Sequence, residues 1–452
     1  MRLLVCILLL SVSALADKPN ILFIAVDDLR TELNCYGETE VKTPNIDQLA
    51  ASALVFNRAY CNIPVCGASR SSLMSGIYPT EKRFSKFTSK VSEDTPGAKT
   101  LPQIFKENGY TTLSRGKIFH DPKDSDSESW SEPAWRAKSP KWLDPETGKK
   151  LSKTKKRGRI YELPDVKDNE YADGMVAEKV IEDLRKCKES GKPFFIACGF
   201  VKPHMPFYAP KKYWDLYDRK SIKLADNLFF PENAPKLLKG STEFQSYYLD
   251  EMKINSEQFH RVMKHGYMAC VSYIDKLVGD VLAELKTLDL EKDTIVVFWG
   301  DHGWHLGEHN FWGKHNTMHL STRIPLIVKV PGLKSGRSNS LVETVDIFPT
   351  LCELAGLKKP SQVQGLSFNK ILNNPQEKFR DHIYSRYGPG DAIVSEHFSF
   401  TRFKDNSIML YDHRKDPKEN LNVASNPEYA PVIKLMQQQL DAAQAKAKAA
   451  KW

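Results

Sequence analysis

No internal stretch of the sequence approaches the ~18 consecutive apolar residues that a membrane-spanning helix needs, so no membrane partner is expected. There is no C-x-x-C pair and no zinc-ligand spacing among the eight cysteines, Cys6, Cys35, Cys61, Cys66, Cys187, Cys198, Cys270 and Cys352. That scatter excludes a small disulfide scaffold, although it leaves individual disulfides open. The helix-turn-helix, zinc-finger and RNP patterns are missing, which argues against nucleic acid as a partner. No repeat is visible, and no Asn-x-Ser/Thr sequon occurs anywhere in the chain.

What is present is ordinary in bulk and informative in detail. The 452 residues are 41% hydrophobic and 27% charged, a globular composition long enough for a large core. Met1-Arg2, the apolar run Leu3 to Leu10 and the small residues ending at Ala14-Leu15-Ala16 have the layout of a secretory signal. Export is therefore expected, to periplasm or medium, with residues 1–16 removed. For an exported chain, the missing sequon favours a bacterial source. The formal charge of +9 suits an anionic partner. Seven cations crowd Lys149 to Arg159, after an acidic, Ser-rich stretch from Asp121 to Glu132. That basic run reads either as a solvated insertion or as a rim that holds a polyanion.

Apolar runs alternate with helical periods, the pattern of an α/β fold. Ile21 to Val26 reads as a buried strand that stops at Asp27-Asp28, and Thr294 to Trp299 as another that stops at Gly300-Asp301-His302. Phe194 to Gly199 and Pro325 to Val330 read as further core strands. Helices are expected over Asn45 to Ala53, Asp173 to Ser190, Glu257 to Leu288 and Val342 to Leu354. Beyond about residue 375, short aromatic and β-branched runs (His382 to Tyr387, Phe398 to Phe403, Ile408 to Tyr411) suggest a small antiparallel sheet. The Ala/Gln/Lys-rich tail after Ala430 suggests an exposed terminal helix. The expected division is a domain over 17–375 and a C-terminal subdomain over 376–452.

Ligands of open α/β sheets bind at the carboxyl ends of strands, so the two polar clusters can face one crevice. An Asp-Asp pair after a strand is by itself as compatible with a turn as with a ligand. Two such clusters, each after a core strand, raise the case for a cation between the carboxylates. Oxygen donors with one imidazole favour Ca²⁺ or Mg²⁺ over zinc.

The segment Pro64-Val65-Cys66-Gly67-Ala68-Ser69-Arg70, followed by Leu73-Met74-Ser75-Gly76, closely resembles the signature of type I sulfatases in the alkaline-phosphatase superfamily. The family more usually carries Pro where Ala68 stands. The resemblance extends from Pro19 to Leu421. Gly116-Lys117-Ile118-Phe119-His120, Lys202-Pro203-His204-Met205-Pro206-Phe207 and the run from Asp301 to His309 are most similar to the iduronate-2-sulfatase branch.

The resemblance implies a large mixed sheet between helix layers and a sulfuric ester hydrolase acting on a sulfated sugar of a polysaccharide or oligosaccharide. It implies that a maturation enzyme oxidises Cys66 to Cα-formylglycine, whose hydrate is the nucleophile. It also implies a divalent cation, calcium by family expectation, on Asp27, Asp28, Asp301 and His302, with position 66 completing the shell. Arg70 would clamp the hydrate, Lys117 and Lys314 would hold sulfate oxygens, His120 would take the hydrate proton, and His204 would protonate the leaving oxygen. His305, His309, His315 and His319 have no such role and are expected behind the site or on the surface. Two other functions stay open: a phosphomonoester or phosphonate hydrolase of the same superfamily, and an inactive protein that binds sulfated glycans.

Overall fold

The computed structural model describes residues 18–452; the expected signal segment lies outside the described residues. Seven strands form the main sheet, in the spatial order Gly336–Ser338, Leu54–Phe56, Leu326–Lys329, Thr294–Gly300, Asn20–Val26, Phe194–Phe200, Thr111–Gly116. Leu326–Lys329 runs antiparallel to both of its neighbours, and every other pairing is parallel. The sheet is therefore mixed, as expected.

The continuous apolar run of Asn20–Val26 follows from burial on both faces. Leu22, Ile24 and Val26 join one core, against the helices Ala172–Ser190 and Glu257–Thr287. Ile21, Phe23 and Ala25 join the other, against Leu101–Glu107 and Ile347–Leu354. All six side chains are fully buried, and removing an aliphatic or aromatic side chain of this kind from water is worth roughly 1.5–3 kcal/mol.

One expected helix is shorter than its pattern. Val342–Glu343 pairs with Ala59–Tyr60 as a strand, and the helix begins only at Ile347. The Asp346 carboxylate accepts from the Glu343 backbone N–H, which makes the turn between the two.

The C-terminal sheet has four antiparallel strands, His382–Tyr387, Gly390–Ser395, Phe398–Phe403 and Ile408–Asp412. The second was not expected; its short run Ala392 to Val394 follows the Gly388-Pro389-Gly390 turn. Tyr384, Ile393, Phe400 and Leu410 stand in one cross-strand row. Met436 and Leu440 of the terminal helix Ala430–Lys448 cover that row. This helix is exposed along one face and docked along the other. No described helix is long and apolar enough to cross a membrane.

Candidate active site

Four adjacent parallel strands end on the same edge of the sheet, and each delivers side chains to one buried cluster. Asn20–Val26 delivers Asp27 and Asp28, and Thr294–Gly300 delivers Asp301 and His302. Phe194–Phe200 leads to His204, and Thr111–Gly116 to Lys117 and His120. Asp28 has φ +60°, a left-handed conformation that Asp tolerates better than most residues. The resulting sharp turn keeps both Asp27 and Asp28 in the cluster, each with no solvent exposure. Gly199 allows the next strand end to approach: a Cβ there would lie 2.2 Å from the Lys117 carbonyl oxygen.

Cys66 is the first residue of the buried helix Cys66–Ser75, so its sulfur sits at the positive end of the helix dipole. A Cβ on Gly67 would lie 1.8 Å from the Phe87 carbonyl oxygen, so only glycine lets the segment 85–89 close over this first turn. Burial alone would raise the Cys66 pKa. Lys314 and Lys117, with the imidazoles of His120 and His204 beside it, outweigh burial and hold it well below its ordinary value. Arg70, one turn on, donates from Nε to Asp301 Oδ2 at 2.9 Å and from Nη1 to the carbonyls of Lys117 and Ile118. Its Nη2 is buried with no hydrogen bond, 3.7 Å from Asp27 Oδ1.

Lys117 pairs with Asp27, and Lys314 Nζ lies 2.7 Å from Asp28 Oδ1. His302 Nε2 lies 3.3 Å from Asp28 Oδ1 and 3.5 Å from Asp301 Oδ1. His204 Nδ1 meets its neighbour's carbonyl, Met205 O, at 2.5 Å, leaving Nε2 towards Asp28 Oδ2 at 3.9 Å. Burial raises the carboxyls of Asp28 and Asp301 above the usual range, Asp301 to about 7, with the charge of Asp27 adding to both.

These donors fit a hard divalent cation. The candidate ligand atoms of Asp27, Cys66, Asp301 and His302 lie within 4.8 Å of one another. Asp27 Oδ1, Asp28 Oδ2 and His302 Nε2 are all buried without a hydrogen-bond partner. Three carboxylates with one imidazole, and several acceptor atoms left unsatisfied, form an oxygen-rich set of the kind that holds Ca²⁺ or Mg²⁺.

All ten residues expected in the site from the sequence come together here. Of the four motif histidines given no role, His305, His309, His315 and His319, the first two are buried, not at the surface. His305 contacts Asn316, His309 lies 3.0 Å from the Lys418 carbonyl, and His315 stacks on Tyr387. The seven described cysteines are free thiols. The sequence reading missed Glu243, which has no motif around it and reaches the site only through the fold. Its carboxylate oxygens lie 3.4 Å from His204 Nε2 and 3.3 Å from Lys314 Nζ. Burial alone would raise the Glu243 pKa, but Lys314 and His204 outweigh it and hold the carboxyl at about 2.

Residues 19–357 match the sulfatase family profile. The chain belongs to the sulfatase family. Residues 307–446 of this sulfatase also match the C-terminal region described for N-sulphoglucosamine sulphohydrolase. The sulfatase is 35% identical over 413 residues to the iduronate 2-sulfatase of Mus musculus, covering 81% of this chain and 74% of the relative. A solved structure in complex with its substrate D-glucosamine-2-N,6-O-disulfate superposes with a TM-score of 0.77 at 22% identity, over 95% of this chain and 98% of that one. A phosphonate monoester hydrolase of Agrobacterium radiobacter superposes equally well, with a TM-score of 0.77 and 22% identity over 95% and 96% of the two chains. The fold therefore does not separate sulfate from phosphonate chemistry; family membership and the iduronate 2-sulfatase relative do. The sulfatase is a sulfuric ester hydrolase.

Proposed function

We propose that this sulfatase removes sulfate from a sulfated sugar, in the manner of an iduronate 2-sulfatase, after export from the cell. The observation that carries the reading is Cys66 at a helix N-terminus, facing two lysines and two histidines and adjoining three buried carboxylates. An anion site of this kind needs positive charge for the sulfate and a nucleophile beside it, and each has a candidate side chain.

In this reading a maturation enzyme oxidises Cys66 to formylglycine, whose hydrate supplies the attacking hydroxyl. Asp27, Asp28, Asp301 and His302, with position 66, would hold a divalent cation, calcium or magnesium. When bound, it supplies positive charge that polarises sulfate oxygens and favours the ionised nucleophile. Lys117 and Lys314, paired with Asp27 and Asp28 here, are then free to hold sulfate oxygens. Arg70 fixes the strand ends through Asp301 and the Lys117 carbonyl, and its spare Nη2 is available to position 66. His204 donates a proton to the departing sugar oxygen, and His120 takes the proton from position 66. His120 is suited to this because its buried Nδ1 has no partner. The division into a catalytic domain over 17–375, carrying this machinery, and a C-terminal subdomain over 376–452 belongs to the same proposal.

A panel of defined sulfated mono- and oligosaccharides, with aryl sulfate and phosphonate ester controls, tests the reading. Release of sulfate from 2-sulfated uronates is expected, with far slower turnover of phosphonate esters. Preference for the phosphonate esters would replace it.

A further inference from the structure

Two cations outside the reacting cluster hold the two proton-transfer histidines by their main chains. Arg136 belongs to the insertion between the strand Thr111–Gly116 and the basic run. Its neighbour Trp135 bridges to Arg115 as one extra rung beside this edge strand. The Trp135 N–H donates to the Ser114 carbonyl at 3.0 Å, and its carbonyl accepts from the Gly116 N–H at 2.8 Å. Arg136 therefore emerges at the strand's carboxyl end, next to the turn that carries His120. Its Nη2 donates to the carbonyl oxygens of Phe119 at 2.6 Å and His120 at 2.8 Å.

Lys202 does the same for His204. The Asp173 carboxylate, in the first turn of the helix Ala172–Ser190, accepts from the backbone N–H groups of Val201 at 2.8 Å and Lys202 at 2.9 Å. That anchors the start of the turn. Lys202 Nζ then donates to the His204 carbonyl at 2.7 Å and to the Pro206 carbonyl at 2.6 Å.

Neither cation forms an ion pair among the described residues. Burial pushes both pKa values below the ordinary range, and Arg70 adds to the fall at Arg136. Burying a cation without a counter-ion costs stability, so stability alone does not account for either position. What the two arrangements share is the target, the carbonyl of the histidine itself. A charged donor that fixes this carbonyl fixes the peptide unit, and through it the direction of the imidazole. Misplacing a reacting group by about 1 Å costs on the order of 10²-fold in rate. The buried Nδ1 of His120 has no hydrogen-bond partner, so nothing at that atom orients the ring.

We propose that Arg136 and Lys202 are positioning residues, Arg136 for His120 and Lys202 for His204, each acting through the histidine's own carbonyl and not on the substrate. The inference rests on the proton-transfer roles proposed above and adds the groups that fix their geometry.

The test is a pair of double-mutant cycles, Arg136→Met with His120→Ala and Lys202→Met with His204→Ala. Each is run on an aliphatic sugar sulfate and on an activated aryl sulfate. Arg136→Met should lower kcat about tenfold or more on both substrates, with KM changed less than about threefold. Lys202→Met should lower kcat by a similar factor on the sugar sulfate and much less on the aryl sulfate. Each cation should matter little once its own histidine is gone, with a further loss below about threefold in that background. Each should keep its full effect in the other histidine's background. Arg136→Gln and Lys202→Gln carry the same cycles where a methionine variant does not fold. Losses that multiply in full in the matching backgrounds, or that appear in KM alone, would overturn the inference, since the cations would then act apart from the histidines. Single histidine variants that turn over at the wild-type rate would instead overturn the roles on which it rests.

Discussion

Glu243 Oε1 and His204 Nε2 face each other at 3.4 Å, with the other Glu243 oxygen 3.3 Å from Lys314 Nζ. One carboxylate therefore touches both the proposed acid, His204, and the proposed sulfate ligand, Lys314. Glu243→Gln keeps the shape and removes the charge. Its kcat should fall on sugar sulfates more than on activated aryl sulfates, with little change in Tm; equal kcat losses on both would mean that Glu243 does not act through protonation of the leaving oxygen.

The two histidines should separate by leaving group. An aliphatic sugar oxygen leaves poorly and needs a proton, whereas an activated phenol does not. General acid catalysis is worth about 10²–10⁴ in rate, so His204→Ala should lose roughly that factor on a sugar sulfate and much less on an aryl sulfate. His120→Ala should slow both substrates alike. The reverse pattern would exchange the two roles.

Asp301→Asn should lose bound metal and activity together, measured by elemental analysis and turnover. Chelation should abolish activity, with calcium or magnesium restoring it. Full activity in metal-free protein would contradict the assignment of the carboxylate cluster.

Much of this site was legible in the sequence because its residues sit at strand ends, where an apolar run meets a polar cluster. Asp27-Asp28 and Asp301-His302 could be read that way from Ile21 to Val26 and Thr294 to Trp299 alone. Lys117, His120 and His204 could not, since their segments carry no chemistry by spacing; the resemblance to sulfatases supplied them. Glu243 was beyond both routes, because it lies in a short 3-10 turn, Glu243–Ser246, whose position depends on tertiary packing. The shortened helix before Leu354 has the same cause: Val342-Glu343 fits a helical period, but pairing with Ala59-Tyr60 overrides it.

The buried histidine behind the site should make the protein sensitive to mild acid. Burial lowers the His305 pKa to about 4, against a weaker opposing effect of Glu308 and with His309 adding to the fall. The unfolded chain takes up this proton below about 6.5 and the folded chain only near 4, so stability falls as pH drops through that window. The loss from this group is roughly 3 kcal/mol. Tm of wild type should therefore fall between pH 7 and 5, and His305→Gln, though less stable at pH 7, should fall less. Parallel pH profiles would remove His305 as the cause.

Docking of the terminal helix is a separate stability claim. Leu440 is fully buried against the row Tyr384, Ile393, Phe400 and Leu410. Leu440→Ala should cost about 2–5 kcal/mol by urea unfolding. A loss below 1 kcal/mol would mean that the helix is not held by this contact.

The central claim is that position 66 carries the nucleophile in oxidised form. Mass spectrometry of the peptide containing residue 66, from protein made in a host with a maturation system, measures it directly. The account predicts an aldehyde oxygen in place of the cysteine sulfur, in a fraction that rises with specific activity across preparations. Fully active protein whose residue 66 is wholly unmodified cysteine would contradict it.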